Sequence, residues 1–218
     1  MALNTVLALI KKDILLEWRQ KHTFFSVLLY VSCTVFVIYM MAAQPETKVW
    51  NALFWIAELF VTVNTVAKSF LQENTARNRY YFTIVPPVKY LLAKMIYSII
   101  LMLVISLLSL GLFNILLGYK LLRPGMFIAV VCLGASCLSV LFTFLSAIAA
   151  QAKQNAALMA IMGFPIAIVM LMMLSKLANA ALSNVLQEGW GTLIAVMAGM
   201  NFLILGIGVI LFPFLWKE

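Results

Sequence analysis

Long apolar stretches separated by short polar segments dominate this chain of 218 residues. Six of them come close to, or exceed, the roughly 20 apolar residues that a helix needs to cross a hydrocarbon core. Barrel strands are about 10 residues long and alternate in polarity, so the pattern predicts helices rather than a β-barrel. The six predicted spans are 24–43, 49–70, 91–117, 126–150, 156–174 and 193–212.

The first 22 residues have a different pattern, because apolar residues recur there at intervals of three and four. This spacing predicts an amphipathic helix whose apolar face is formed by Leu3, Val6, Leu7, Ile10, Ile14 and Trp18. Charged residues such as Lys12 and Asp13 fall towards the opposite face. We expect residues 1–22 to lie on the membrane surface, either as a generic anchor or as a helix that contacts a cytoplasmic partner.

The composition supports a membrane protein, since 65% of the residues are hydrophobic and 10% are charged. The mean hydropathy is +1.08. A water-soluble domain of this length could not cover so much apolar surface with so few charges. We therefore predict an all-α polytopic membrane protein with six transmembrane helices and an N-terminal interfacial helix, in which residues 1–218 form a single transmembrane domain.

The distribution of the 15 basic residues predicts the orientation in the membrane. With six spans, the two termini lie on the same side. If that side is the cytoplasm, all but four of the basic residues fall there, the exceptions being Lys48, Lys120, Arg123 and Lys176. The positive-inside rule then predicts that both termini are cytoplasmic. Topology and anionic lipid explain the basic excess, so no nucleic-acid partner is expected.

Residues that could carry chemistry are scarce. The sequence has no P-loop and no cluster of metal ligands, and no nucleophile stands beside a base. We therefore expect that the chain is not an enzyme by itself and holds no cofactor or metal. His22 is expected to anchor the membrane interface, and Cys33, Cys132 and Cys137 are expected to pack between helices.

Three features within the predicted spans could have a structural or functional role. Glu58 is the one acidic residue predicted deep in a span, which marks either a transport pathway or a buried partner. We favour a hydrogen bond to a neighbouring helix or subunit. Pro165 interrupts the fifth span and is expected to kink it, either as a pivot or as a simple curve. Small residues of the fourth span suit pairing with a second subunit, namely Gly134, Ala135, Ser136 and Ser139.

The longest polar stretch between spans runs from Lys68 to Lys89 and contains Glu73, Arg77 and Arg79. Its length and mixed charge are typical of a docking surface for a cytoplasmic protein. The alternative is a solvated connector that aromatic residues hold at the interface. On the other side, the segment 175–190 is the largest predicted loop and is expected to carry a short helix of its own.

The order and spacing of these features resemble the CcmB family, the permease subunits of the cytochrome c maturation ABC complex, also called haem exporter protein B. The first stretch that carries the resemblance is Lys12-Asp13…Arg19. The second runs from Trp55 through Pro86 to Ala93-Lys94, where the third span begins. The third runs from Leu133-Gly134 to Pro165. Together they cover essentially the whole chain.

The resemblance implies an ABC-2-type permease in the bacterial inner membrane, present as two copies per complex. It implies a cytoplasmic ATPase subunit, CcmA, which binds ATP, together with CcmC, CcmD and the haem chaperone CcmE. The complex would either export haem or release the haem-loaded chaperone. The ATPase would act on the loop after the second span, at Lys68, Glu73, Arg77 and Arg79.

Other functions are compatible with the same sequence pattern. One is an ABC-2-type permease for a lipid, a drug or a glycan, and another is a membrane assembly scaffold that works without an ATPase. Within the resemblance we favour a mechanical role over haem export. The outer side offers no histidine as a haem ligand, and packing explains Met40 and Met41 equally well.

Overall fold

The structure is a computed structural model that describes residues 2–19, 21–42, 44–71, 86–118, 121–151, 156–182 and 189–215. These residues form seven helices and contain no strand. In chain order the helices are α1 (Ala2–Arg19), α2 (Lys21–Met41), α3 (Thr47–Leu71), α4 (Pro87–Leu116), α5 (Pro124–Gln151), α6 (Ala156–Leu182) and α7 (Trp190–Leu215). Helices α2 to α7 are each long and apolar enough to cross a membrane, which confirms the predicted all-helical, multi-pass fold.

The fifth span ends later than the sequence pattern predicts. Helix α6 runs on to Leu182, so residues 175–182 belong to the span and not to a loop with a separate helix. Ser175, Lys176 and Asn179 lower the hydropathy there and suggest a loop. In the fold, Ser175 and Asn179 accept hydrogen bonds from α3, so these polar groups are satisfied within the bundle.

Contacts between helix ends show that successive spans alternate in direction. Trp50 near the start of α3 packs edge-on against Phe113 near the end of α4 and contacts Phe127 near the start of α5. Phe54 stacks on Trp50 with their ring centroids 5.8 Å apart. We call this level of the bundle the aromatic end, and the level where α1 lies the α1 end.

Helix α5 is the most buried span, and α4 has the largest number of neighbouring helices. Helix α5 packs against α3, α4, α6 and α7, and most of its residues are buried. Helix α4 contacts α1, α2, α3, α5 and α7. A displacement of α4 would therefore shift its contacts with five other helices.

The small residues of α5 are used inside the chain. Gly134 lies under the Trp55 ring of α3 and beside Leu174 of α6, while Ala135 and Ser139 are buried. The expectation that this face pairs with a second subunit is therefore wrong. The small side chains instead let α3 and α6 approach α5 within one protomer.

The outer surface of the bundle is apolar and matches a lipid environment. Large hydrophobic side chains are exposed along α2, α6 and α7, including Leu29, Phe36, Ile161, Phe202 and Ile210. Helices α2 and α7 are the least buried of the six spans. Helix α6 continues through Pro165, which is exposed, while Gly163 on its inner face packs against Phe142 and Leu145.

The close packing at Gly134 yields a first test. A Cβ at this position would lie 2.6 Å and 2.7 Å from two atoms of the Trp55 ring. We expect Gly134→Ala to lower the free energy of unfolding by about 1–3 kcal/mol, because the core is already close-packed. The measurement is thermal unfolding of the full chain in detergent.

Gly199→Ala is the matched control, since a Cβ there meets nothing within 4 Å. It should leave stability unchanged or raise it slightly, because alanine favours a helix by up to about 1 kcal/mol over glycine. Equal effects at the two positions would contradict the packing described here.

Candidate functional site

Helix α1 is docked on the bundle and rests mainly on α4. Its inward face carries Leu9 and Asp13, which are buried, and Val6 and Ile10, which are half-buried. Leu7, Ile14 and Leu15 are exposed instead. The packed face is thus rotated from the apolar face that the sequence pattern predicts. The assignment of Asp13 to the polar, outward face is wrong, because this carboxylate has a partner within the bundle.

That partner is Lys94 of α4. Its Nζ lies 3.2 Å from Asp13 Oδ2, and the two residues are only 4% and 5% exposed. The second carboxylate oxygen, Oδ1, lies 3.0 Å from Nζ of Lys12. Removing one partner of a buried ion pair leaves an uncompensated charge and typically costs about 3–5 kcal/mol. The pair therefore ties the surface helix to the first turns of the third span.

The start of α4 positions Lys94 for this contact. Pro86 is the N-cap residue and Pro87 occupies the first turn, where a proline removes no helical hydrogen bond. Tyr90 is buried one turn before Lys94, and the Lys94 Nζ lies 5.9 Å from the centre of its ring. An aromatic face at this distance adds a favourable cation–π contact. Carboxylate and ring together accommodate a buried lysine close to the end of a span.

A second polar contact lies deeper in the bundle, between α3 and α4. Glu58 is buried, and its Oε2 accepts a hydrogen bond of 2.7 Å from the Ser106 hydroxyl. This is the hydrogen bond to a neighbouring helix that the sequence leads us to favour. Glu58 is the only acidic residue within the six candidate spans that the structure describes.

The carboxyl group of Glu58 is only partly satisfied. Its Oε1 and the buried hydroxyl of Ser109, one turn along α4 from Ser106, have no hydrogen-bond partner among the described residues. The bond to Ser106 is the direct polar contact between these two helices, and the Ser109 hydroxyl lies near the same carboxyl group. The bond fixes their relative rotation, because a turn of either helix would leave the carboxyl group without its donor.

A third polar contact lies at the aromatic end, between α3 and α6. The Asn51 amide donates to the Ser175 carbonyl oxygen at 2.9 Å and contacts the Ser175 hydroxyl at 3.2 Å and Asn179 Oδ1 at 3.1 Å. The backbone N–H of Arg123 at the start of α5 donates to the carbonyl of Ala181 in α6. These bonds explain why polar residues extend α6 rather than ending it.

Several residues singled out in the sequence do not join these contacts. Glu73, Arg77 and Arg79 lie outside the described residues, as do the side chains of Lys68 and His22. Met40 and Met41 are exposed at the end of α2. Among the described residues, no three side chains of His, Cys, Asp or Glu come together as a metal site.

Comparison with known proteins assigns the chain to a family. The family model described as CcmB protein matches residues 4–214, which is nearly the whole chain. The chain belongs to the CcmB family. No curated protein matches it.

CcmB membership identifies a membrane permease component of a haem-exporting ABC transporter, which works with an ATPase and other cytochrome c maturation components. Family membership also bears on the ion pair between Asp13 and Lys94. Lys12-Asp13 and Ala93-Lys94 are two of the stretches that carry the CcmB resemblance, and they lie far apart in the chain. The fold joins them through the contact between Asp13 and Lys94. The sequence pattern marks both stretches, but it does not show that they pair.

The Glu58–Ser106 contact can be tested by a double-mutant cycle. Ser106→Ala leaves a buried carboxyl group without its donor, so we expect it to lower the free energy of unfolding by about 1–3 kcal/mol. Combining it with Glu58→Met replaces both polar groups by apolar ones, which should recover most of that loss. Thermal unfolding of the full chain in detergent measures each variant.

Ser136→Ala serves as the control, because the Ser136 hydroxyl bonds only to the carbonyl of Leu133 in its own helix. A double variant that is less stable than Ser106→Ala alone would refute a simple pairwise contact.

Proposed function

We propose that this chain couples ATP hydrolysis by a cytoplasmic partner subunit to haem handling in cytochrome c maturation. The observation that carries the proposal is the CcmB match, which extends over residues 4–214. The fold supports it, because nearly all described residues belong to the surface helix or to a span. A chain of this kind needs another protein to hydrolyse ATP.

The proposed orientation places the α1 end in the cytoplasm of a bacterial cell and the aromatic end outside the inner membrane. The positive-inside rule supports this orientation, since all but four of the 15 basic residues then lie on the cytoplasmic side. Two copies of the chain would assemble with CcmA as the ATPase, alongside CcmC and CcmD. The haem chaperone CcmE would be served at the outer face.

Within this assembly we favour a mechanical role, in which ATP hydrolysis drives release of the haem-loaded chaperone. The three polar contacts described above join helix to helix within the bundle. A path for haem across the membrane would instead need polar or ligating groups that face a cavity. The rigid connections between helices suit the transmission of a movement.

The ATPase partnership is tested at the loop after α3. The double charge reversal Arg77→Glu and Arg79→Glu should sharply reduce the amount of ATPase subunit that co-purifies with the tagged chain from native membranes. The reason is that complementary charges at a docking surface become repulsive. Insertion should be unchanged, because the loop lies outside the spans.

Lys48→Glu with Lys176→Glu is the matched control, since both lysines are exposed at the aromatic end. It makes the same change in net charge on the other side of the membrane, and co-purification should stay at the wild-type level. Absence of any ATPase with the wild-type chain would favour the scaffold alternative and overturn the proposal.

Variants of Met40 and Met41 provide a test that distinguishes haem export from release of the chaperone. Met40 and Met41 are 71% and 84% exposed, so leucine can replace them without disturbing the core. If the role is mechanical, Met40→Leu with Met41→Leu should leave the haem content of the purified complex unchanged, as measured by absorbance at the Soret band. Loss of haem from the double variant would instead support direct export through this chain.

A further inference from the structure

The docking of α1 on α4 combines two kinds of contact with different mechanical properties. The apolar contacts of Leu9, Val6 and Ile10 would tolerate a small sliding of one helix along the other. The pair of Asp13 and Lys94 would not, because both side chains are buried and hydrogen-bonding distance allows one register only. Separation would take the buried Lys94 ammonium away from the Asp13 carboxylate in a low-dielectric setting, which is costly. Helix α1 is thus fixed to α4 in position along its axis.

Helix α1 is partly exposed, whereas α4 contacts most of the other helices. Helix α1 presents Lys11 and Arg19 on its exposed surface, at the end of the bundle where α4 begins. Helix α4 contacts α2, α3, α5 and α7 in addition to α1. It also provides Ser106 to the Glu58 contact deep in the bundle. A force on α1 that is passed to α4 therefore reaches four spans directly.

We propose that Asp13 and Lys94 are positioning residues that make α1 and α4 one rigid unit, through which an ATPase acting at the α1 end moves the spans. This inference rests on the proposed function, since it assigns the connection that the coupling to ATP uses. Lys12 shares the carboxylate of Asp13 and steadies it. Helix α1 then acts as the input element of the permease rather than as a passive surface anchor.

The test uses the complete complex, purified from membranes through a tag on this chain. Asp13→Asn and Lys94→Gln each break the pair and keep side-chain size. The double exchange Asp13→Lys with Lys94→Asp restores a pair of opposite charges. Lys176→Gln is the control for Lys94→Gln, because it removes one positive charge from an exposed position at the aromatic end, away from α1.

Two quantities are measured for each complex: the rate of ATP hydrolysis per bound ATPase subunit, and the yield of holo-cytochrome c in cells that produce the variant. We expect both single variants to keep the ATPase bound and hydrolysing. Their yield of holo-cytochrome c per ATP hydrolysed should fall by about tenfold or more, given the cost of breaking a buried pair. The charge exchange should restore most of the yield, and Lys176→Gln should match the wild type.

A merely structural pair would give a different result. The ATPase rate and the cytochrome yield would then fall together, in proportion to the amount of folded complex, and their ratio would stay constant. Such a constant ratio, with the ATPase still bound, would overturn the inference while the proposed function stands. A wild-type complex without an ATPase would overturn the proposed function itself.

If the single variants do not accumulate, a distance measurement on the wild-type complex decides. Spin labels at Lys11 on α1 and at Ile96 on α4 occupy exposed positions on the two helices. We expect the same distance between them in the nucleotide-free and ATP-bound complexes. A change as large as one helical turn, about 5.4 Å, would show that α1 moves independently of α4 and would refute the rigid unit.

Discussion

Lipid offers no hydrogen bonds, so a polar side chain buried in the bundle can find a partner only within the protein. Three such contacts organise the fold at three levels. Asp13 binds Lys94 at the α1 end, Glu58 accepts from Ser106 in the interior, and Asn51 donates to α6 at the aromatic end. Helix α3 or α4 takes part in every one of them. Apolar packing holds the spans together, and these contacts determine their register and rotation.

The position of α1 changes how the N-terminal segment is understood. A helix that merely lies on a membrane surface is oriented by the burial of its apolar face in the lipid. Here, burying the Asp13 carboxylate without a partner would cost more than exposing the apolar residues beside it. Helix α1 is therefore turned so that Asp13 contacts Lys94. Leu7, Ile14 and Leu15 are left for the lipid interface. The segment is consequently a part of the bundle and of whatever movement the bundle performs.

The sequence predicts the number and kind of the spans, because apolar runs of this length have one stable form in lipid. It does not predict which faces meet. Gly134 and Ser139 look like a surface for another subunit, yet Trp55 covers Gly134 within the same chain. The end of α6 is missed because Ser175 and Asn179 are polar, and their acceptor role appears only when Asn51 is placed beside them.

The polar contacts of Glu58 and of Asp13 could likewise be predicted from the sequence only in part. A single acid in a span signals a partner, and Glu58 has one, but several serines of α4 could have supplied it. The pairing of Asp13 with Lys94 joins residues that are 81 positions apart. No local pattern encodes such a contact, since it depends on how α1 is folded back against the third span.

The bond between Glu58 and Ser106 also bears on how the chain enters the membrane during synthesis. Helix α3 emerges before α4, and an ionisable residue at the centre of an inserted helix costs about 2.5–3.5 kcal/mol on translocon scales. Its hydrogen-bond donor arrives only with residues that are made later. The second and third spans are therefore best inserted as a hairpin, with α3 retained beside the translocon until α4 has been made.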